Sequence, residues 1–109
     1  MLVYLATPYS KYPGGREQAY EMACEKAGEL MDKGFRVFCP IAHSHSIEQY
    51  AFQEPKDGDW WLKQDFAVLE HCKILFVYQM EGWQDSYGVK QEIAYATARG
   101  IPVQFLEEV

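Results

Sequence analysis

Two runs, Leu2-Val-Tyr-Leu-Ala6 and Ile74-Leu-Phe-Val-Tyr78, are apolar at every position, and nothing else in the sequence limits the possible folds as much. A strand with one wet face alternates apolar and polar residues, whereas a strand covered on both faces has no reason to alternate. Stretches of helical period separate these runs. From Arg16 to Lys33, Ala19, Ala23, Ala27, Leu30 and Met31 recur on one side, and Gly34 is a natural stop. Phe35 to Cys39 reads as a second strand, closed by Pro40. Ile41 to Gly58 shows no period and is expected to be irregular, and long segments of that kind in small domains tend to be functional. Asp59 then reads as the cap of a helix through Trp60, Trp61, Leu62, Phe66 and Leu69 to about His71, with Phe66 and Leu69 facing the core. Lys73 to Tyr78 makes the third strand, Ser86 to Arg99 a helix, and Val103 to Leu106 a last strand. Strand and helix alternate throughout, which predicts an α/β fold: a three-layer parallel sheet, Rossmann-like or flavodoxin-like, with helices on both faces.

A chain of 109 residues suits one domain, spanning 1–109. Its 10 basic and 16 acidic residues leave a net charge of −6, which argues against an extended nucleic-acid groove but not against one small phosphorylated ligand. Cys24, Cys39 and Cys72 form no CxxC pair and leave one odd, so a reducing cytoplasm is expected and the thiols are read as core. The apolar start is too short for a secretory signal or a membrane span.

Ligands of open parallel sheets bind at the carboxyl ends of the strands. The turns due at that edge are Thr7 to Arg16, Pro40 to Ser46 and Gln79 to Glu92, all rich in polar residues and glycine. In the last of these, Asp85 and Ser86 are good N-caps, and Gly88 allows a ligand close to the backbone. A helix start there offers free N–H groups and a positive dipole end to an anion. Val89, Ile93 and Ala96 form the apolar stripe of that helix. Glu92 falls at its edge, where a carboxylate faces either an exposed surface or a cleft. Asp65 lies one turn beyond Trp61 at the border of its own helix, and it too suits either a surface or an acid in the site. Tyr9, Ser10, Gly14, Gly15 and Arg16 follow the first strand as a phosphate-holding turn or a solvated one. The pattern is neither GxGxxG nor a Walker loop. His43 and His45 would hydrogen-bond a ligand or serve the loop, since HxH without a third ligand is weak evidence for zinc. No metal and no cofactor are expected.

Taken in order, Tyr4-Leu-Ala-Thr-Pro-Tyr-Ser10, Gly14-Gly-Arg-Glu17, Gln64-Asp65 and Ser86-x-Gly88-x-x-x-Glu92 resemble the nucleoside 2-deoxyribosyltransferase-like superfamily, including its nucleotide N-hydrolase branch. Pro40-Ile-Ala-His-Ser-His45 and Gly82-Trp83 are similar to marks of a small bacterial and phage group within it. The resemblance implies cleavage or transfer of the N-glycosidic bond of a nucleoside or nucleoside 5′-monophosphate through a glycosyl-enzyme intermediate. By position, Glu92 would be the nucleophile. Asp65 would transfer a proton to the departing base, and Tyr9 would hydrogen-bond the catalytic carboxylate or the sugar. Ser86, Gly88 and Arg16 would hold a 5′-phosphate, with Ser10, His43 and His45 also lining the site, and Trp60, Trp61 or Trp83 would stack on the base. It also implies a homodimer or higher homo-oligomer. The rival expectation is a non-catalytic binder or sensor of a nucleotide-like ligand on the same fold.

Overall fold

A computed structural model describes residues 1–108. The order is β1 (Leu2–Ala6), α1 (Arg16–Asp32), β2 (Arg36–Phe38), α2 (Pro40–Ala51), α3 (Gly58–Leu69), β3 (Ile74–Gln79), a short 3-10 turn (Trp83–Asp85), α4 (Tyr87–Ala98) and β4 (Val103–Glu107). All pairings are parallel and the strands lie in the order β2-β1-β3-β4. Tyr4 sits opposite Phe38 on one side and Leu75 on the other. β1 and β3 are the interior strands, which is why their sequences are apolar without interruption.

Alternation along these two strands divides the core into two layers. Val3, Leu5, Phe76 and Tyr78 face α1, whose stripe Ala19, Ala23, Ala27 and Leu30 is buried against them. Three of those four are alanine, and small side chains let the helix lie close to the sheet. Tyr4, Ala6, Leu75 and Val77 point the other way, onto Leu69 of α3 and Val89 and Ala96 of α4. The helices therefore cover both faces, as the sequence predicts. Met31 is the exception on α1, being 52% exposed while Leu30 is buried. Cys24 is only half-buried, whereas Cys39 and Cys72 are core.

The stretch expected to be irregular is largely helical. Pro40 stands in the first turn of α2, where its missing N–H costs nothing. Only Pro40 and Ser44 of this helix are buried. It packs beside α1 and the end of β1 rather than presenting an apolar stripe to the sheet, so no periodic signal appears. The cap of α3 is Asp57, not Asp59: its carboxylate accepts from the Trp60 N–H at 2.8 Å. Gly82 adopts φ 80°, a left-handed turn that glycine takes without strain, and starts the 3-10 turn leading to α4.

Candidate active site

A cavity of about 250 Å³ opens at the carboxyl ends of β1 and β3. Here the chain leaves β1 toward one face of the sheet and β3 toward the other, the switch point where ligands of such sheets bind. Thr7, Tyr9, Ser10, Lys11 and Arg16 contribute from the β1 end, Pro40, Ile41, Ser44 and Glu48 from α2, Trp61, Leu62 and Asp65 from α3, and Ser86, Gly88 and Glu92 from the start of α4. Pro55, Lys56 and Asp57 come from the loop between α2 and α3.

Both candidate carboxylates lie deeper than their sequence positions suggest. Glu92 is 4% exposed and Asp65 7%. The buried side of α3 runs through Leu62, Asp65 and Leu69, while Phe66, expected in the core, is half-buried and stacks on Tyr95 at 4.2 Å. Burial disfavours the charged form, raising Asp65 to about 7. Glu92 rises to about 8 through burial and the charge of Asp65, opposed by a hydrogen bond from Tyr4. Titration of two such groups belongs to the pair, which keeps a proton near neutrality. Tyr4 donates to Glu92 and so opposes the effect of burial there, which leaves a singly charged pair with the charge on Glu92 and the proton on Asp65 within reach. Burial and both carboxylates push the Tyr4 hydroxyl well above its usual range, which secures it as a donor.

At the start of α4, the Ser86 hydroxyl accepts from the Val89 N–H at 3.3 Å. Beside it, a Cβ added at Gly88 would meet no described atom within 4 Å, so nothing in the fold fills that space. Lys11, Arg16 and Lys56 bring positive charge to the rim although the chain is acidic overall. Thr7 Oγ1 and Trp61 Nε1 are buried without a hydrogen-bond partner among the described residues, and both residues line the cavity.

Of the residues singled out in the sequence, Tyr9, Ser10, Arg16, Trp61, Asp65, Ser86, Gly88 and Glu92 meet around this cavity. His45 lies just behind it, with Nδ1 2.7 Å from the Tyr9 hydroxyl and Nε2 3.0 Å from a Glu17 carboxylate oxygen. The exposed ring of His43 lies against Phe38 rather than in the cavity. Trp83 packs on Phe105 at 5.3 Å, in the layer beneath α4, and does not line this cavity. The tyrosine hydrogen-bonded to Glu92 is Tyr4, whereas the Tyr9 hydroxyl meets His45. A phenol in a strand buried on both faces needs a partner for its hydroxyl, and that was the available clue. Thr7, Ser44 and Glu48 were also missed as site residues. Burial holds the Cys39 thiol up at about 12, unsuited to a nucleophile. Among the described residues no three His, Cys, Asp or Glu side chains gather as a metal site requires, and no helix is long and apolar enough to cross a membrane.

Fold and site together define a flavodoxin-like α/β protein with a buried carboxyl pair at its switch point. The chain belongs to the family described as a domain of unknown function, DUF1937, whose profile matches residues 1–108. The solved structure of a 2-deoxyribosyltransferase from the psychrotolerant bacterium Bacillus psychrosaccharolyticus is similar in fold, with a TM-score of 0.70 at 19% identity, covering 100% of this chain and 76% of that one. No curated protein matches the chain in sequence.

Proposed function

We propose that this protein breaks the N-glycosidic bond of a nucleoside or nucleoside 5′-monophosphate, with Glu92 as nucleophile and Asp65 as acid and base. The observation that carries the reading is the buried Glu92–Asp65 pair opening on one cleft, with a hydroxyl donor on Glu92 alone. The Glu92 carboxylate attacks the anomeric carbon as the C–N electrons leave with the base, and Asp65 gives its proton to that base. The sugar is then held as an ester on Glu92. Water attacks the same carbon, passes a proton to Asp65 and frees the Glu92 carboxylate; a second base in place of water gives transfer. Retaining chemistry of this kind sets the two carboxyls roughly 5 Å apart across the scissile bond.

The fold shared with a 2-deoxyribosyltransferase supports the same chemistry. Ser86, Gly88 and the helix start, with Arg16, are suited to a 5′-phosphate. Trp61 offers an aromatic surface to the base. The resemblance extends the reading to a cytoplasmic homodimer or higher homo-oligomer, which sedimentation velocity would score.

The test is chromatography of nucleosides and 5′-monophosphates incubated with wild type and Glu92→Gln, with and without a second base. Base released by wild type and not by the variant is the expected result. Release only with an acceptor present identifies a transferase. Tight binding without release by the wild type replaces catalysis with the binder reading.

A further inference from the structure

Behind the cleft, Tyr9, His45 and Glu17 form a chain that the glycosidase reading does not use. The His45 ring is fixed on two sides: it stacks on Tyr20 at 4.0 Å and 15°, and meets the Tyr9 ring edge-on. Its side chain is 12% exposed, whereas Glu17 at the outer end is 72% exposed. Tyr9 is the inner end and the only one of the three that lines the cavity. The Arg16 guanidinium lies over the Tyr9 ring at 5.5 Å.

The hydrogens in this chain follow from the outer end. An ionised carboxylate only accepts, so at 3.0 Å from Glu17 the His45 Nε2 must carry hydrogen. In a neutral imidazole the other nitrogen, Nδ1, then holds a lone pair. The group facing that lone pair at 2.7 Å is the Tyr9 hydroxyl, which has one hydrogen to give and gives it here. The opposite tautomer would set a bare Nε2 against a carboxylate, two acceptors facing each other. Tyr9 therefore turns toward the cleft an oxygen with lone pairs only.

We propose that Glu17 and His45 act as positioning residues that make Tyr9 an acceptor-only contact, so that the ligand group beside Tyr9 is a hydrogen-bond donor. A sugar hydroxyl or an exocyclic amine fits this position, and a phosphate oxygen or a carbonyl does not. The ligand half of the proposal rests on the nucleoside reading, whereas the orientation of the hydrogens does not.

Two measurements test it. The first is ¹⁵N NMR of imidazole-labelled protein without ligand at about pH 8, where imidazole is normally neutral. His45 should show a protonated Nε2 and a bare Nδ1, and Glu17→Gln, which can donate as well as accept, should blur that pattern. A protonated Nδ1 in the wild type overturns the assignment whatever the ligand proves to be. The second is calorimetric binding of nucleosides and 5′-monophosphates to Glu92→Gln, which cannot turn over. Adding Tyr9→Phe should weaken binding about 10-fold, the usual scale of one hydrogen bond. His45→Phe should cost less against hydroxyl and amine ligands, because the freed Tyr9 hydroxyl still accepts from them, and should improve binding of analogues presenting an acceptor at that position. Equal binding with and without the Tyr9 hydroxyl overturns the proposal. Failure of every compound to bind Glu92→Gln and wild type alike instead removes the nucleoside reading and the ligand half with it, leaving the NMR result to decide the orientation.

Discussion

Glu92→Gln should make the protein more stable in alkali than the wild type. The Glu92 carboxyl is held up at about 8 against its ordinary 4.5. Between those values the folded protein keeps a proton that the unfolded chain has already released. The stabilisation from this group is complete below pH 4.5 and is lost as the pH rises through 8. At about 1.4 kcal/mol per pH unit the window amounts to ~5 kcal/mol, a ceiling that water entering the cleft would reduce to about 2–4 kcal/mol. Glutamine has nearly the same shape, no proton to lose, and an amide oxygen that still accepts from Tyr4. Asp65 is present in both proteins, so the difference between the two curves reports Glu92 together with its coupling to Asp65. Urea unfolding followed by tryptophan fluorescence, from about pH 4.5 to 9, would measure it. The two proteins should agree at the acid end and part toward pH 9, where a gap of about 2–4 kcal/mol separates the midpoints by roughly 1–3 M urea. Parallel curves, or a wild type more stable at pH 9, would refute the claim that Glu92 is buried without adequate compensation.

Tyr4→Phe keeps the ring in its layer and removes the only side-chain donor on Glu92 among the described residues. A hydrogen bond to a charged group is worth about 1.5–3 kcal/mol, so the Glu92 titration in ¹³C NMR should move up by about 1–2 pH units; no movement would mean that the hydroxyl does not serve the carboxylate. Gly88→Ala should raise thermal stability by about 0.5–1 kcal/mol, since helical alanine is favoured and its Cβ meets nothing. The same methyl projects beside the anion seat, so nucleotide affinity by calorimetry should fall; unchanged affinity would place the ligand elsewhere. Trp83→Ala should cost about 2–3 kcal/mol in urea unfolding through lost packing on Phe105, with ligand affinity unchanged. A tenfold loss of affinity in that folded variant would restore Trp83 as a base-stacking residue.

The sheet was legible because burial on both faces leaves a composition that little else produces, as in Leu2–Ala6 and Ile74–Gln79. Helix α2 was not, because its packing is lateral and its inward residues, such as Ser44, are polar. Glu92 and Asp65 were legible as candidates but read as border residues. A carboxylate inside a stripe breaks the pattern that would announce its burial. Phe66 and Trp83 show the converse: size and hydrophobicity mark a residue for burial without saying against what. Tyr4 was hidden by its surroundings. Its partner lies 88 residues away, and no local period encodes that pairing.

The place of Tyr4 on a central strand ties the assembly of the site to the register of the sheet. Side chains alternate along β1, so a slip of one residue against β3 would send this phenol to the α1 layer and leave Glu92 facing a neighbour with no hydroxyl. The same slip would drive the inward residues of both layers against the wrong helices. A misregistered chain thus loses its core packing and the hydrogen bond to Glu92 for one shared reason. The sheet proofreads the cleft: only with β1 in its native register does the Tyr4 hydroxyl lie on the side of the sheet where Glu92 meets it.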